Sequence, residues 1–314
     1  MAFKLIVSRD PNEIGFRIAD LIVQATRRKP NIVMGLCASD YSSYIYRSLI
    51  AQNYARNVDF SRATVFATAE YVGIDPRNSL SCRSFLFENL CGRINMNPNY
   101  LRSPVPYGNM LVNCSNYDNE IMKFGGLDIT ILELGDYGEL SYVNEFRSTY
   151  DNSLVCDLTQ ENLVKNQLQF VGQQVPDRMI SLGVGPIYNS KLVIIYAIGA
   201  KKANAVANVL LNPINNNVAA SILQQHPNTF LFIDVAASSV FYQRSQMQRQ
   251  QALQNQQQQY LNQIRQMQQQ TTTIQNYNPQ INVQTTQQMN MQPNPNINSN
   301  TQQIYNPNNM QQKK

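Results

Sequence analysis

Six short stretches of this chain are apolar at nearly every position, and they constrain its fold more than any other feature. They are residues 31–36 (NIVMGL), 63–69 (ATVFATA), 127–134 (LDITILEL), 178–185 (RMISLGVG), 191–199 (KLVIIYAIG) and 229–236 (TFLFIDVA). A strand of a half-exposed sheet would alternate apolar and polar residues; a strand without a polar face has to be covered on both sides. Helical patterns lie between the stretches. One carries Tyr44, Ile45, Leu49 and Ile50, and others span residues 85–90, 202–211 and 218–225. Strands of this kind alternating with helices predict an α/β fold, a doubly wound, mostly parallel sheet with helices on both faces. Ligands of such sheets sit beyond the carboxyl ends of the strands, which directs attention to the loops after Leu36, Thr68, Leu134 and Gly199.

The pattern stops near Tyr242. The 72 residues from Gln243 to Lys314 hold 25 Gln and 13 Asn, no Asp or Glu, and five basic residues. The whole chain has 25 basic and 20 acidic residues, so residues 1–242 keep 20 of each and a formal charge of zero. The excess of +5 therefore belongs to the tail, which argues against a basic nucleic-acid groove on the folded part. Two regions are predicted: an α/β domain over 1–242 and a Gln/Asn-rich, low-complexity tail over 243–314, helical at first and then disordered. Val240, Met247, Leu261 and Ile264 fit a loose heptad whose other core positions are Gln. From Thr271 the tail has too little apolar surface to offset chain entropy. Asn/Gln ladders leave self-association through the tail open.

One histidine, His226, and five scattered cysteines give no metal-ligand spacing, so neither a metal nor a cofactor is expected. The odd cysteine count suits reduced thiols and a cytoplasmic location. No apolar run approaches the ~18–20 residues that cross a bilayer.

Taken in order, the segments MGL, VFATAEYVGID, ITILELGDYGELSYVNE, LGVGPI, AIGAKKANAV and QQHP…DVAAS resemble the glucosamine-6-phosphate deaminase/isomerase family, over essentially all of residues 1–242. The family segments NMDEYVGL, GVGNDGHIAFNEP, LTVGVG and GSQKA each find a counterpart. The related 6-phosphogluconolactonases rank second, because they lack the EYVG and VNE forms. The resemblance implies an oligomer and a sugar-phosphate site. It also implies chemistry in which a carboxylate removes the sugar's C2 proton and an imidazole supported by acids opens the ring.

Residue by residue, the resemblance holds for the scaffold and fails for the chemistry. In the phosphate loop from Gly35 to Ser42, the family's glycines fall on Ser39 and Asp40 and its Thr on Tyr41. Side chains there restrict the backbone approach that an anion needs, and Asp40 adds a like charge. The proton-abstracting Asp falls on Ala69. The second Asp and the ring-opening His fall on Tyr137 and Glu139, and Glu145 is read as the retained family glutamate. Lys202 keeps the phosphate lysine, whereas a second basic position falls on Leu168 with Lys165 nearby. His226, in a QHP corner, does not replace the lost imidazole.

The sequence therefore predicts a degenerate member without deaminase activity, a binding or scaffold protein that holds a sugar phosphate weakly if at all, through Lys202, Gly35 and Ser39. The alternative is an active sugar-phosphate isomerase, deaminase or lactonase in which Glu139, Glu145, Glu70 and Lys202 serve altered chemistry. The two differ over the cleft: an enzyme should bring Glu145 and Lys202 together, while a cleft walled by Tyr41, Tyr137 and Tyr142 favours binding. A sugar-sensing transcriptional regulator ranks last, since no helix-turn-helix precedes residue 31.

Overall fold

The computed structural model describes residues 3–277. It divides into two compact units, Met1–Arg249 and Gln250–Lys314.

The first unit opens with β1 (Phe3–Ser8), α1 (Pro11–Arg28), β2 (Val33–Leu36), α2 (Ser42–Tyr54), β3 (Thr64–Ala67) and β4 (Ala69–Tyr71). Next come α3 (Cys82–Asn89), β5 (Leu101–Arg102), α4 (Met110–Lys123), β6 (Ile129–Glu133), β7 (Leu154–Asp157) and α5 (Gln160–Gln169). The remainder is β8 (Arg178–Ser181), α6 (Val184–Tyr188), β9 (Leu192–Ala197), α7 (Ala203–Leu211), β10 (Thr229–Asp234) and the start of α8 (Val235–Tyr277). Seven strands form one sheet in the order β1-β10-β9-β6-β2-β3-β5, all parallel. A second sheet, β4-β8-β7, is antiparallel.

The apolar runs become strands for the reason their composition suggests. Both faces of β2, β3 and β9 are buried, and the core residues Val33, Met34, Val65, Phe66, Ile194 and Ile195 are at most 2% exposed. Helix α1 starts where Asp10 accepts hydrogen bonds from the Asn12 and Glu13 amides and Pro11 occupies its first turn. It lays Ile14, Ile18 and Ile22 on the sheet. Gly15 lets it cross α2 closely, since a Cβ there would meet the Tyr44 carbonyl oxygen at 2.5 Å.

Several expectations need correcting. Residues 63–69 are not one strand: β3 ends at Ala67, and Thr68 passes the chain into β4 of the small sheet. Residues 178–185 do not join the main sheet. Their first half is β8, the centre of the small sheet, and Val184 and Gly185 open α6. The apolar run reports burial, and burial is equally served by either sheet. The helix expected over 218–225 is a 3-10 segment, Ala219–Gln224.

His226 sits behind it, 1% exposed, with Nδ1 2.8 Å from Thr229 Oγ1 and Nε2 2.9 Å from the Ser190 carbonyl. It is a satisfied core residue at the amino end of β10. At the same end of the sheet Asp128, just before β6, holds Lys29 at 2.6 Å and Lys191 at 2.8 Å and accepts from the Val33 amide.

In the second unit α8 continues to Tyr277, seven residues past Gln270, and Leu253, Tyr260 and Leu261 are exposed along it. The disorder expected from Thr271 does not hold for residues 271–277, which belong to α8; the rest of that expectation, from 278 onward, lies outside the described residues. No described helix is long and apolar enough to cross a membrane.

Candidate functional site

The order of strands reverses between β2 and β6: from β2 the chain moves to β3 and β5, and from β6 it moves the other way to β9 and β10. That switch point opens a crevice at the carboxyl ends of the strands. Here it is a cleft of about 730 Å³, walled by the loops after β2, β3, β6 and β9 and by α5. The volume is within the range of small-molecule sites.

Lys202 lines it. The turn Ala200–Lys202 follows Gly199, whose φ of +89° suits glycine and no residue with a Cβ. Asp234 fixes this turn by accepting from the Gly199 amide at 3.0 and 3.1 Å and from the Ala237 amide at 2.7 Å. The Lys202 ammonium, 12% exposed, is gripped by Asp136 at 2.6 Å and Glu133 at 3.1 Å. Burial lowers the lysine's pKa, but the charges of Glu133 and Asp136 outweigh it, and the net shift is upward. Glu133 also accepts a short hydrogen bond from Ser39 Oγ. Lys202, expected as a phosphate lysine, is thus already paired with two carboxylates.

Ser39 and Asp40, which stand where the resemblance places glycines, are both engaged. Ser39 is tied to Glu133, and exposed Asp40 pairs with Lys165 of α5 at 3.3 Å. Leu168 lines the cleft and is 76% exposed. Gly35, expected among the binding residues, does not reach the cleft. It is buried within β2, where a Cβ would stand 3.2 Å from Leu127 and Thr130.

Ala69, Tyr137 and Glu139, the expected departures from the family pattern, all line the cleft. Ala69 lines it with a methyl group, 4% exposed. Tyr137 donates its hydroxyl to Glu161 Oε1 at 2.8 Å, which raises the phenol's pKa. Glu139, 8% exposed, accepts from the Tyr137 amide at 2.8 Å through Oε2. Its other oxygen has no partner among the described residues.

Glu145 is misplaced by the sequence reading: it is exposed and does not line the cleft, whereas Asn144 does. Counted without a gap from Gly135 against GNDGHIAFNEP, the family glutamate falls on Asn144. The same count puts Asp136 on the family's Asn, a signal the sequence reading left unused.

Glu70 is withdrawn from the cleft altogether. It is fully buried and accepts from the amides of Tyr71 (3.0 Å), Cys82 (2.9 Å) and Arg83 (3.0 Å), tying β4 to the start of α3. Burial raises its pKa against the pull of those amides. Cys37 borders the cleft, but burial pushes its thiol up to about 11, far from a nucleophilic thiolate at neutral pH. Among the described residues no group of His, Cys, Asp and Glu is gathered to hold a metal ion.

No protein-family model matches the chain. Among curated proteins it is 31% identical over 241 residues to a glucosamine-6-phosphate deaminase of Clostridium novyi, spanning 75% of this chain and 99% of that relative. The glucosamine-6-phosphate deaminase of Thermoanaerobacter pseudethanolicus is 28% identical over 239 residues, 76% of this chain and 94% of the relative. Among solved structures, a monomeric glucosamine-6-phosphate deaminase superposes with a TM-score of 0.72 at 23% identity, covering 76% of this chain and all of that one. The 6-phosphogluconolactonase of Thermotoga maritima gives 0.60 at 16% identity, covering 74% and 99%.

Proposed function

The chain belongs to the glucosamine-6-phosphate deaminase family, and we propose that it has kept the family's scaffold and cleft while losing the deaminase reaction, so that it acts as a binding protein. One observation carries this reading. The cleft lining offers a methyl group at Ala69 and a carboxylate at Glu139 where the reaction needs a base and an imidazole. The one histidine of the chain is buried at the opposite end of the sheet with both ring nitrogens engaged. Without those groups the C2 proton loses the acceptor, and the ring oxygen the imidazole donor, that the family's reaction uses.

The state of Lys202 supports the same reading. A phosphate dianion would have to compete with Glu133 and Asp136 for the ammonium they already hold. The altered-enzyme reading called for Glu145 and Lys202 to converge on the cleft. Lys202 lines it and Glu145 does not, while Glu70, a second acid of that scheme, is committed to α3.

The test is ammonia release. The purified full chain incubated with glucosamine 6-phosphate, its ammonia read continuously by a coupled enzyme, should give a rate equal to the protein-free control. Turnover near the ~10 s⁻¹ common among enzymes would refute the reading.

A further inference from the structure

We infer that α8 associates with the α8 of a second copy of this chain, as a short parallel coiled coil over residues 253–267. The family resemblance runs over residues 1–242, so this contact lies beyond what the family explains.

Spacing comes first. Leu253, Gln257, Tyr260, Ile264 and Met267 follow one another at alternating steps of four and three, the repeat that keeps one stripe of a helix facing a partner. They take positions d, a, d, a and d of that repeat, and all but Gln257 are apolar. All lie on α8, which is continuous from Val235 to Tyr277. The looser heptad through Val240, Met247, Leu261 and Ile264 keeps only Ile264 in this stripe. From Gln250 to Gln263 every residue is exposed, so no other described element covers the helix there, and Leu253 and Tyr260 are 65% and 62% exposed. Helices in proteins owe most of their stability to the packing of an apolar face, and this one has such a face to pack.

What flanks and interrupts the stripe identifies the partner. Residues 250–277 contain no Asp, Glu or Lys and a single Arg, Arg265, which stands one position past Ile264 and away from the contact. The flanking e and g positions are Gln254, Gln256, Leu261 and Gln263, so nothing repels an identical helix and nothing selects a charged one. Gln257 sets the direction. In a parallel, in-register pair it meets its own counterpart, and two side-chain amides, each with donor and acceptor, hydrogen-bond to one another. An antiparallel pair sets a positions against d positions, and Gln257 would face Leu253, Tyr260 or Met267 with its amide unsatisfied. The β-branched Ile264 at a, with Leu253 at d, favours two strands over three or more. A stripe over 253–267 is only ~22 Å long and buries less than a permanent complex does, so the association is weak and reversible.

The experiment is sedimentation equilibrium of the full chain from about 5 to about 500 μM, a range that brackets a weak interface. The average mass should rise with concentration from the 35.7 kDa of one chain toward twice that value. Ile264→Asp, which sets like charges face to face in the stripe, should weaken association by about tenfold or more. Gln258→Asp, the same charge one position outside the stripe, should leave it within about twofold of wild type. Gln257→Ile should tighten it about tenfold, because a polar residue at an a position costs stability. Gln257→Cys should cross-link to itself under mild oxidation, whereas the wild type, whose cysteines are all buried or half-buried, should not. Thermal unfolding of every variant should match that of wild type, since the changes lie on an exposed helix. The inference is overturned if the chain stays monomeric over the whole range, or if Ile264→Asp associates as well as Gln258→Asp, which would place the contact elsewhere. Association that persists in Gln257→Cys without a cross-link would overturn the parallel register.

Discussion

Strand β6 carries an ion-pair triad at each end, and the two are built with opposite stoichiometry. At its amino end one acid, Asp128, serves two lysines, Lys29 and Lys191, which are 38% and 67% exposed. At its carboxyl end one lysine, Lys202, serves two acids, Glu133 and Asp136, and the lysine itself is 12% exposed. The first joins α1, β2, β6 and β9 at the closed end of the sheet, where surplus positive charge reaches water. The second leaves surplus negative charge facing an open cleft. Equal chemistry thus joins elements at one end and lines an open cleft at the other.

Removing the central residue of each triad tests the contrast most strongly. Lys202→Met leaves two carboxylates facing one another, and at ~5 Å their repulsion is about 3 kcal/mol at an effective dielectric near 20. Urea unfolding should show a loss of about that size. Asp128→Ala leaves two lysines that can turn into solvent, plus one unsatisfied Val33 amide, and should cost only about 2 kcal/mol. If Asp128→Ala is the more damaging of the two, the contrast between the two ends is wrong.

A subtler change sharpens it. Asp136→Asn restores the residue of the family motif and releases half of the grip on Lys202. Inorganic phosphate, titrated calorimetrically, should bind this variant about tenfold more tightly than the wild type, equivalent to about 1.4 kcal/mol. An unchanged affinity would mean that Glu133 alone suffices to neutralise the lysine.

The smallest effect is in pH. Burial pushes the Asp128 pKa up, but Lys191 and Lys29 outweigh it and the net shift is downward. Its stabilisation is therefore complete above the ordinary Asp value of about 3.9 and is lost as pH falls through the lowered folded value. Lys202, shifted upward, contributes fully below about 10.4 and loses its contribution only as pH rises beyond that. The stability advantage of wild type over Asp128→Asn should shrink by roughly 1 kcal/mol between pH 5 and pH 3. The advantage over Lys202→Met should hold up to pH 10.

The sequence disclosed these two ends unequally. The main strands were legible because β2, β3, β6, β9 and β10 are apolar on both faces, a local signal that burial dictates. The small sheet was not, since residues 178–181 look the same whichever sheet buries them. Ala69, Tyr137 and Glu139 were legible as departures because each sits at a fixed offset from a glycine or a strand end. Glu145 was misread through a one-residue slip in a loop with no periodicity to hold the register. The Glu133 grip on Lys202 joins residues 69 apart, and nothing local in LDITILEL announces it. The Asp128 fastener, spanning Lys29 and Lys191, was invisible for the same reason.

The central claim is that, with Ala69 in the place of the family's base, no carboxylate of the cleft takes the C2 proton of a bound sugar. Proton NMR of glucosamine 6-phosphate incubated with the full chain in D₂O reads that step alone, whether or not ammonia later leaves. The account predicts a C2 proton signal that stays intact at the rate of the protein-free sample. Deuterium appearing at C2 in the wild type, and failing to appear in Glu139→Gln, would contradict it.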